Sequence, residues 1–140
     1  SLAVTPETWG LMFEAVPSSV MGLELDPSHL IWQKIDAHLA LDEFADRVHI
    51  IHAKDTEIFD GRVKRDGIFH RSSRGWGHWG RYRLPGFAHF DWQKLLVMCH
   101  EQQIECPVVI EHEDQVFSGD RRLEGLRRSG KFLRNCLLQA

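Results

Sequence analysis

Three residues of metal-binding type stand at the ends of three short apolar runs. Asp26 closes residues 20–26, His52 falls near the end of residues 47–53, and Glu111 closes residues 107–111. If these runs are parallel strands, their carboxyl ends meet at one edge of the sheet, where α/β proteins place their chemistry. A set of oxygen, imidazole and oxygen ligands suits Mn²⁺, Mg²⁺, Co²⁺ or Zn²⁺ better than a metal that prefers thiolates.

Each of these three residues also has an ordinary structural interpretation. Asp26 precedes Pro27, which is a turn signal. A histidine near the end of a strand is commonly a hydrogen-bonded core residue, and Glu111 begins an acidic stretch that water can solvate. Singly, the structural interpretations are simpler. Taken together, three residues of ligand type at three consecutive strand ends favour a metal site as much as the structural interpretations.

Two further groups adjoin these strand ends. His29 follows Asp26 by three residues, in a predicted loop above the pocket, where it could hold a substrate hydroxyl or a second metal, or remain a surface histidine. Lys54 follows the second run and could orient a sugar oxygen. It could equally pair with Asp55 as an exposed ion pair, which would contribute little stability.

Four helices alternate with these strands. Thr5 with Pro6 predicts a first helix over residues 5–16, Asp36 and Asp91 are N-caps for two more, and the last covers residues 120–138. Their apolar stripes are Trp9, Met12, Phe13 and Val16; Ala37, Ala40, Leu41 and Phe44; Trp92, Leu95, Leu96 and Cys99; and Leu123, Leu126, Leu133 and Leu137. The order α, β, α, β, loop, α, β, α predicts parallel strands joined by crossovers.

Residues 54–90 are predicted to be a long irregular insertion. Within it, residues 71–83 combine four arginines with Trp76, Trp79 and Tyr82. Basic and aromatic residues in alternation can bind single-stranded nucleic acid. We favour a lid or rim loop whose aromatic residues cover a pocket or a neighbouring subunit, with a disordered insertion as the equal alternative.

Composition narrows the functional class. The 140 residues, 43% apolar and 26% charged, suit one globular unit, and the net charge of −3 gives no support for a nucleic-acid partner. No apolar run is long enough to cross a membrane, and three scattered cysteines predict reduced thiols in a cytoplasmic protein. The dinucleotide-binding and P-loop glycine motifs and the nucleophile elbow are absent.

Several short motifs together resemble one family. The sequences LDPSH at 25–29, HAKD at 52–55 and IEHED at 110–114 occur in that order, and residues 86–92 resemble a further glycine-containing block with Ala88 in place of a usual glycine. The chain resembles the sugar phosphate isomerases and epimerases, which are xylose-isomerase-like TIM barrels. The resemblance extends from the first helix to the last.

The resemblance implies a ligand set and a reaction. Four ligands, Glu, Asp, His and Glu, hold one divalent metal at the barrel mouth; Asp26, His52 and Glu111 match the last three. Glu111 would be catalytic, moving a proton next to a carbonyl through an enediolate, while His29 and Lys54 would bind a sugar or sugar phosphate. The first glutamate would precede the chain. The sequence would then be the C-terminal half of a (β/α)₈ barrel, with about three parallel strands and four helices.

Such a half-barrel is expected to be inactive alone, although its parent would be an enzyme. Its open edges predict self-association or pairing with an upstream half-barrel. Two alternatives remain: an inosose-dehydratase-like lyase of the same superfamily, and a non-catalytic binding or assembly module that retains the barrel remnant. An endonuclease-IV-like phosphodiesterase is disfavoured, because it would need more metal ligands and a basic groove.

Overall fold

A three-stranded parallel sheet lies at the centre of the computed structural model, which describes residues 3–70 and 79–139. The strands are β1 (Leu23–Leu25), β2 (Val48–Ala53), β3 (Asp55–Ile58), β4 (Gly80–Arg83) and β5 (Val108–Ile110). The helices are α1 (Pro6–Ala15), α2 (Pro27–Ile31), α3 (Ala37–Glu43), α4 (Asp60–Asp66), α5 (Trp92–Glu101) and α6 (Arg122–Leu137). The parallel sheet has the order β1-β2-β5, which confirms the three strands predicted from the sequence.

Three helix starts lie where their capping residues predict them. The side chain of Thr5 caps α1 in a reciprocal pair with Thr8, and a proline follows at the first helical position. Asp36 accepts hydrogen bonds from the first backbone N–H groups of α3, and Asp91 does the same for α5. These side chains satisfy donors that a helix leaves unpaired at its amino end.

One face of the sheet forms the core and the other carries the polar residues. Leu25, Ile51 and Ala53 are completely buried and belong to one cluster with residues of α3 and α5. Glu24 and His52 point to the opposite face, because successive strand residues alternate in direction. The sheet thus holds its ligand-type side chains on the face that its helices leave open.

The prediction of an irregular insertion over residues 54–90 is wrong in part. Strands β3 and β4 form an antiparallel pair, with Asp55 opposite Arg83, and helix α4 lies between them in the chain. The one-turn helix α2 was also missed, so the described residues contain six α-helices rather than four. Residues 71–78 of the predicted lid or rim loop lie outside the described residues, and the rest of that loop is largely β4.

The apolar stripe predicted for the last helix is only partly buried. Leu123 and Leu137 are exposed, whereas the face packed on the molecule consists of Gly125, Ser129, Leu133 and Cys136. Small residues are required because a Cβ atom on Gly125 would lie 2.6 Å from the ring of Phe117. Within the described residues, no helix combines the length and apolar character needed to span a membrane.

Candidate metal centre

Asp26 lies between β1 and α2, and its two carboxylate oxygens have different partners. Its Oδ1 atom accepts a hydrogen bond of 2.9 Å from the backbone N–H of Ser28, which caps the short helix. Its Oδ2 atom faces the open side of the sheet, 3.2 Å from Lys54 Nζ. The Asp-Pro pair therefore ends the strand and starts the helix while leaving one carboxylate oxygen for the site.

His52 and Glu111 meet across neighbouring strands. Because His52 pairs in register with Val109, the strand ends bring its imidazole beside Glu111, with Nδ1 3.2 Å from Oε2. Nδ1 is also 3.3 Å from Oε1 of Glu24, which sequence reasoning missed. One ligand atom from each of Asp26, His52 and Glu111 lies within 4.8 Å of the others. The structure brings together the three residues predicted as metal ligands.

Lys54 lies at the centre of this group with its side chain almost completely buried. Its ammonium is 2.8 Å from Glu111 Oε2, 3.2 Å from Asp26 Oδ2 and 3.3 Å from Glu113 Oε2. Burial alone would lower the pKa of Lys54, but its hydrogen bond to Glu111 and the charge of Asp26 raise that pKa above its ordinary value. The ammonium is therefore charged at neutral pH.

The same pairing keeps Glu111 ionised. Burial alone would raise the pKa of Glu111, whereas the hydrogen bond from Lys54 and its positive charge bring that pKa below the ordinary value. A deprotonated, partly exposed carboxylate can serve either as a metal ligand or as a proton acceptor.

Asp55 takes no part in this group, so the alternative of an exposed ion pair with Lys54 is wrong. The two residues are neighbours in an extended segment and point to opposite sides. Asp55 is fully buried and accepts hydrogen bonds from the backbone of Thr56 at 2.7 Å and from Trp92 Nε1 at 3.3 Å. Burial raises the pKa of Asp55 to about 6, although both hydrogen bonds act in the opposite direction.

His29 lies on α2 rather than in the predicted loop. Its Nε2 atom is 3.3 Å from Asp26 Oδ2, and its Nδ1 atom is 3.3 Å from the hydroxyl of Tyr82. About half of its side chain is exposed. It thus stands beside the proposed ligands with one edge toward solvent, which is the position that a group binding a substrate hydroxyl needs.

Sequence reasoning missed two acidic neighbours of the site. Glu24 and Glu113 precede or follow a predicted ligand by two residues, so the alternation of a strand could have placed them on the same face. Tyr82 was predicted only as part of a lid or rim loop, and its ring reaches the site from β4, with its centroid 4.8 Å from Lys54 Nζ. Only the antiparallel pairing of β3 with β4 makes that contact.

The donor set fits a hard or borderline divalent cation. Two carboxylates and one imidazole from three adjacent strand ends are the ligand types that Mn²⁺, Mg²⁺, Co²⁺ and Zn²⁺ take in proteins. Glu24 can hold the imidazole in orientation, as carboxylates beside metal-binding histidines do.

Comparison with known proteins agrees with this fold. The model of the xylose isomerase-like TIM barrel family matches residues 2–136, and the chain belongs to that family. The resemblance drawn from the sequence motifs is therefore confirmed at the level of the family, and the fold is that of part of a TIM barrel.

Two particular relatives show how much of such a protein the chain represents. The uncharacterized protein YfiH of Bacillus subtilis (strain 168) is 27% identical over 146 residues, which cover 99% of this chain and 44% of that protein. The crystal structure of a xylose isomerase domain protein from Planctomyces limnophilus has a TM-score of 0.70 at 18% identity, covering 97% of this chain and 44% of that chain. The chain spans less than half the length of either relative.

Proposed function

We propose that this chain supplies three ligands, Asp26, His52 and Glu111, to a divalent-metal site in a sugar isomerase or epimerase. The observation that supports the proposal is the convergence of their ligand atoms within 4.8 Å at the ends of β1, β2 and β5. When bound, Mn²⁺ or a similar cation would act as a Lewis acid toward a substrate carbonyl.

The residues of the chain would then divide the remaining work. Glu111 is ionised and half-open to solvent, so it can accept the proton next to the carbonyl. Lys54 would offset negative charge that develops on the substrate, since its ammonium already lies among the carboxylates. His29 would donate to or accept from a sugar hydroxyl.

Metal titration of the chain and of Glu111→Gln tests the proposal. Binding of Mn²⁺, measured by calorimetry, is expected to weaken by about tenfold or more in the variant, because the amide is a poorer ligand. Glu124→Gln is the matched control, since Glu124 lies on the exposed face of α6 and its ion pairs within the described residues are with Arg121 and Arg128. Equal affinities in all three proteins, or no binding in any, would contradict the proposal.

One observation favours a second candidate, a metal-free binding or assembly module. The Lys54 ammonium already contacts Asp26 and Glu111, so these carboxylates are paired without a metal. In that case Mn²⁺ would bind neither the chain nor the Glu111→Gln variant, and the titration separates the two candidates.

We also propose that the complete pocket needs a further half-barrel, either upstream sequence or a second copy. Among the described residues, β1 and β5 are the outer strands of the parallel sheet, and Val108 and Val109 are exposed on β5. A cavity of about 410 Å³ beside β1 is lined by apolar residues that include Trp9, Met12 and Met21. Light scattering tests self-association. A chain that is monomeric at about 100 μM, a concentration well above the dissociation constant of a stable dimer, would contradict it.

A further inference from the structure

A second cavity, of about 600 Å³, lies beside the metal-ligand residues. Its lining includes Trp32, Trp79, Tyr82, Arg62, Arg81 and Glu113. We call this cavity the aromatic cleft. Its volume is within the range of pockets that bind small molecules, and a wall of aromatic rings with a few polar groups is the usual composition of such pockets.

The aromatic wall is built from two distant parts of the chain. Trp32 ends α2 and Trp79 directly precedes β4, and their rings stack with centroids 5.7 Å apart and planes at 24°. Tyr82 meets Trp79 edge to face, with centroids also 5.7 Å apart. Because each ring is held by the next, the wall keeps its shape without a ligand.

The aromatic cleft is continuous with the proposed metal site. Glu113 lines the cleft and also lies 3.3 Å from Lys54 Nζ, and the ring of Tyr82 lies over the same ammonium. A sugar held by Asp26 and Glu111 would therefore direct a substituent on the side of Glu113 and Tyr82 toward Trp79.

Two of the charged groups of the cleft are already paired with groups of opposite charge. Arg81 Nε donates to Glu57 Oε2 at 2.6 Å, and Glu113 is paired with Lys54. The guanidinium of Arg62 lies 4.7 Å from the ring centroid of Phe59. These groups offer hydrogen bonds at the edge of an apolar wall, which matches a ring with an apolar face and hydroxyls on its rim.

We infer that the aromatic cleft binds a second ring, joined to the reacting sugar by a glycosidic bond. This inference deepens the proposed function and rests on it for the identity of the first ring. The bound ring would place its apolar face on Trp79 and Tyr82 and its polar rim toward Arg62 and Glu113. A disaccharide and an aryl glycoside share this chemistry, so the experiment includes both.

Calorimetry with non-reacting probes tests the inference. EDTA is present, so that binding in the cleft is measured independently of a metal. Cellobiose or 4-nitrophenyl β-glucoside is expected to bind the chain about fivefold or more tightly than glucose, the gain that one aromatic contact supplies. Trp79→Ala should abolish this preference, and Trp79→Tyr, which keeps a ring, should retain part of it. Phe69→Ala, at an exposed aromatic residue of the same insertion, is the control and should leave the preference unchanged.

The outcomes separate this inference from the proposed function. Preference for either two-ring probe that depends on Trp79 supports the cleft and identifies which ring it takes. Equal binding of glucose and both two-ring probes, tighter binding of glucose 6-phosphate than of either, or a preference that survives in Trp79→Ala overturns it. Mn²⁺ titration of Trp79→Ala should match that of the unchanged chain, so failure of the metal site would appear in that measurement alone.

Discussion

Two groups of charged side chains in this molecule both pair carboxylates with a basic residue, but one is a structural network and the other is a candidate binding site. The arginine network consists of Arg83, Asp114 and Glu57, and the strand-end cluster consists of Asp26, His52, Lys54, Glu111 and Glu113. In the network, Asp114 is fully buried and accepts from Arg83 Nε at 2.8 Å and from the backbone of Leu84 and Val116. In the cluster, one ammonium is shared by three carboxylates, of which Glu113 is exposed to water and Glu111 partly exposed.

The two groups differ in how completely their carboxylates are paired with hydrogen-bond donors and positive charges. Burial alone would raise the pKa of Asp114, but its hydrogen bonds from Arg83 and the backbone hold that pKa below the ordinary value. Every oxygen of that carboxylate has a donor, so nothing is left for a ligand. The strand-end cluster has more carboxylate charge than its single ammonium offsets, and it opens to solvent. Surplus charge at an open edge is what distinguishes a binding site from a structural ion pair.

Removing Asp114 should have the largest effect on stability. Asp114→Ala leaves the buried Arg83 without its main partner and two backbone N–H groups without acceptors, so the free energy of unfolding should fall by about 3 to 5 kcal/mol. Urea denaturation measures the loss. Asp114→Asn, which keeps one acceptor oxygen, should lose less. A loss below about 1 kcal/mol would mean that the network is not structural, and the contrast with the strand-end cluster would fail.

Asp55 extends the contrast to a buried carboxylate that, within the described part of the chain, has no basic side chain in hydrogen-bond contact. Since burial raises its folded-state pKa to about 6, above its ordinary value of 3.8, the folded chain takes up a proton that the unfolded chain does not. The stability contributed by Asp55 is therefore greatest below about pH 4 and is lost as the pH rises through 6, by about 2 to 3 kcal/mol.

Chemical denaturation between pH 4 and 7 measures this dependence. Asp55→Asn keeps an oxygen that can accept from Thr56 or Trp92. The free energy of unfolding of this variant should depend less on pH in this range than that of the unchanged chain. An unchanged pH dependence in the variant would show that Asp55 is not the group that titrates. Asp114 should act with the opposite sign, because its lowered pKa stabilises the fold at neutral pH and that stabilisation is lost on acidification.

The strand-end cluster was largely predictable from the sequence, whereas for the aromatic cleft the sequence indicated only a lid or rim loop that contains Trp79 and Tyr82. Asp26, His52 and Glu111 follow from a local rule, since parallel strands end at one edge and each apolar run marks its own end. The β3–β4 pair depends on two short segments separated by α4 and by residues outside the described part, so no local pattern reveals it. The packed face of α6 was misjudged for a similar reason: close approach to Phe117 selects Gly125, and Ser129 donates to the backbone carbonyl of Pro85, whereas periodicity alone favours the leucines.

Lys54→Met tests whether the ammonium occupies the place of a metal. The substitution keeps an unbranched side chain but removes the charge between Asp26 and Glu111, so Mn²⁺ should bind about tenfold more tightly if it takes the same carboxylate oxygens. Without a metal, the same variant should be less stable, because three carboxylates then lie close together without a cation. Calorimetry with and without EDTA gives both quantities. Weaker Mn²⁺ binding in Lys54→Met would instead show that the ammonium organises the ligands.

Tyr82→Phe should have the smallest effect and tests how open the cluster is. The hydroxyl lost is 3.3 Å from a half-exposed His29 nitrogen, where water can replace it, so the free energy of unfolding should change by less than about 0.5 kcal/mol. Tyr82→Leu removes the ring that lies over Lys54 and supports Trp79, and it should cost more than Tyr82→Phe. If the two variants lose equal stability of about 1.5 kcal/mol, the hydroxyl is as essential as the ring. The strand-end cluster would then be closed like the arginine network, and its surplus charge would no longer indicate a binding site.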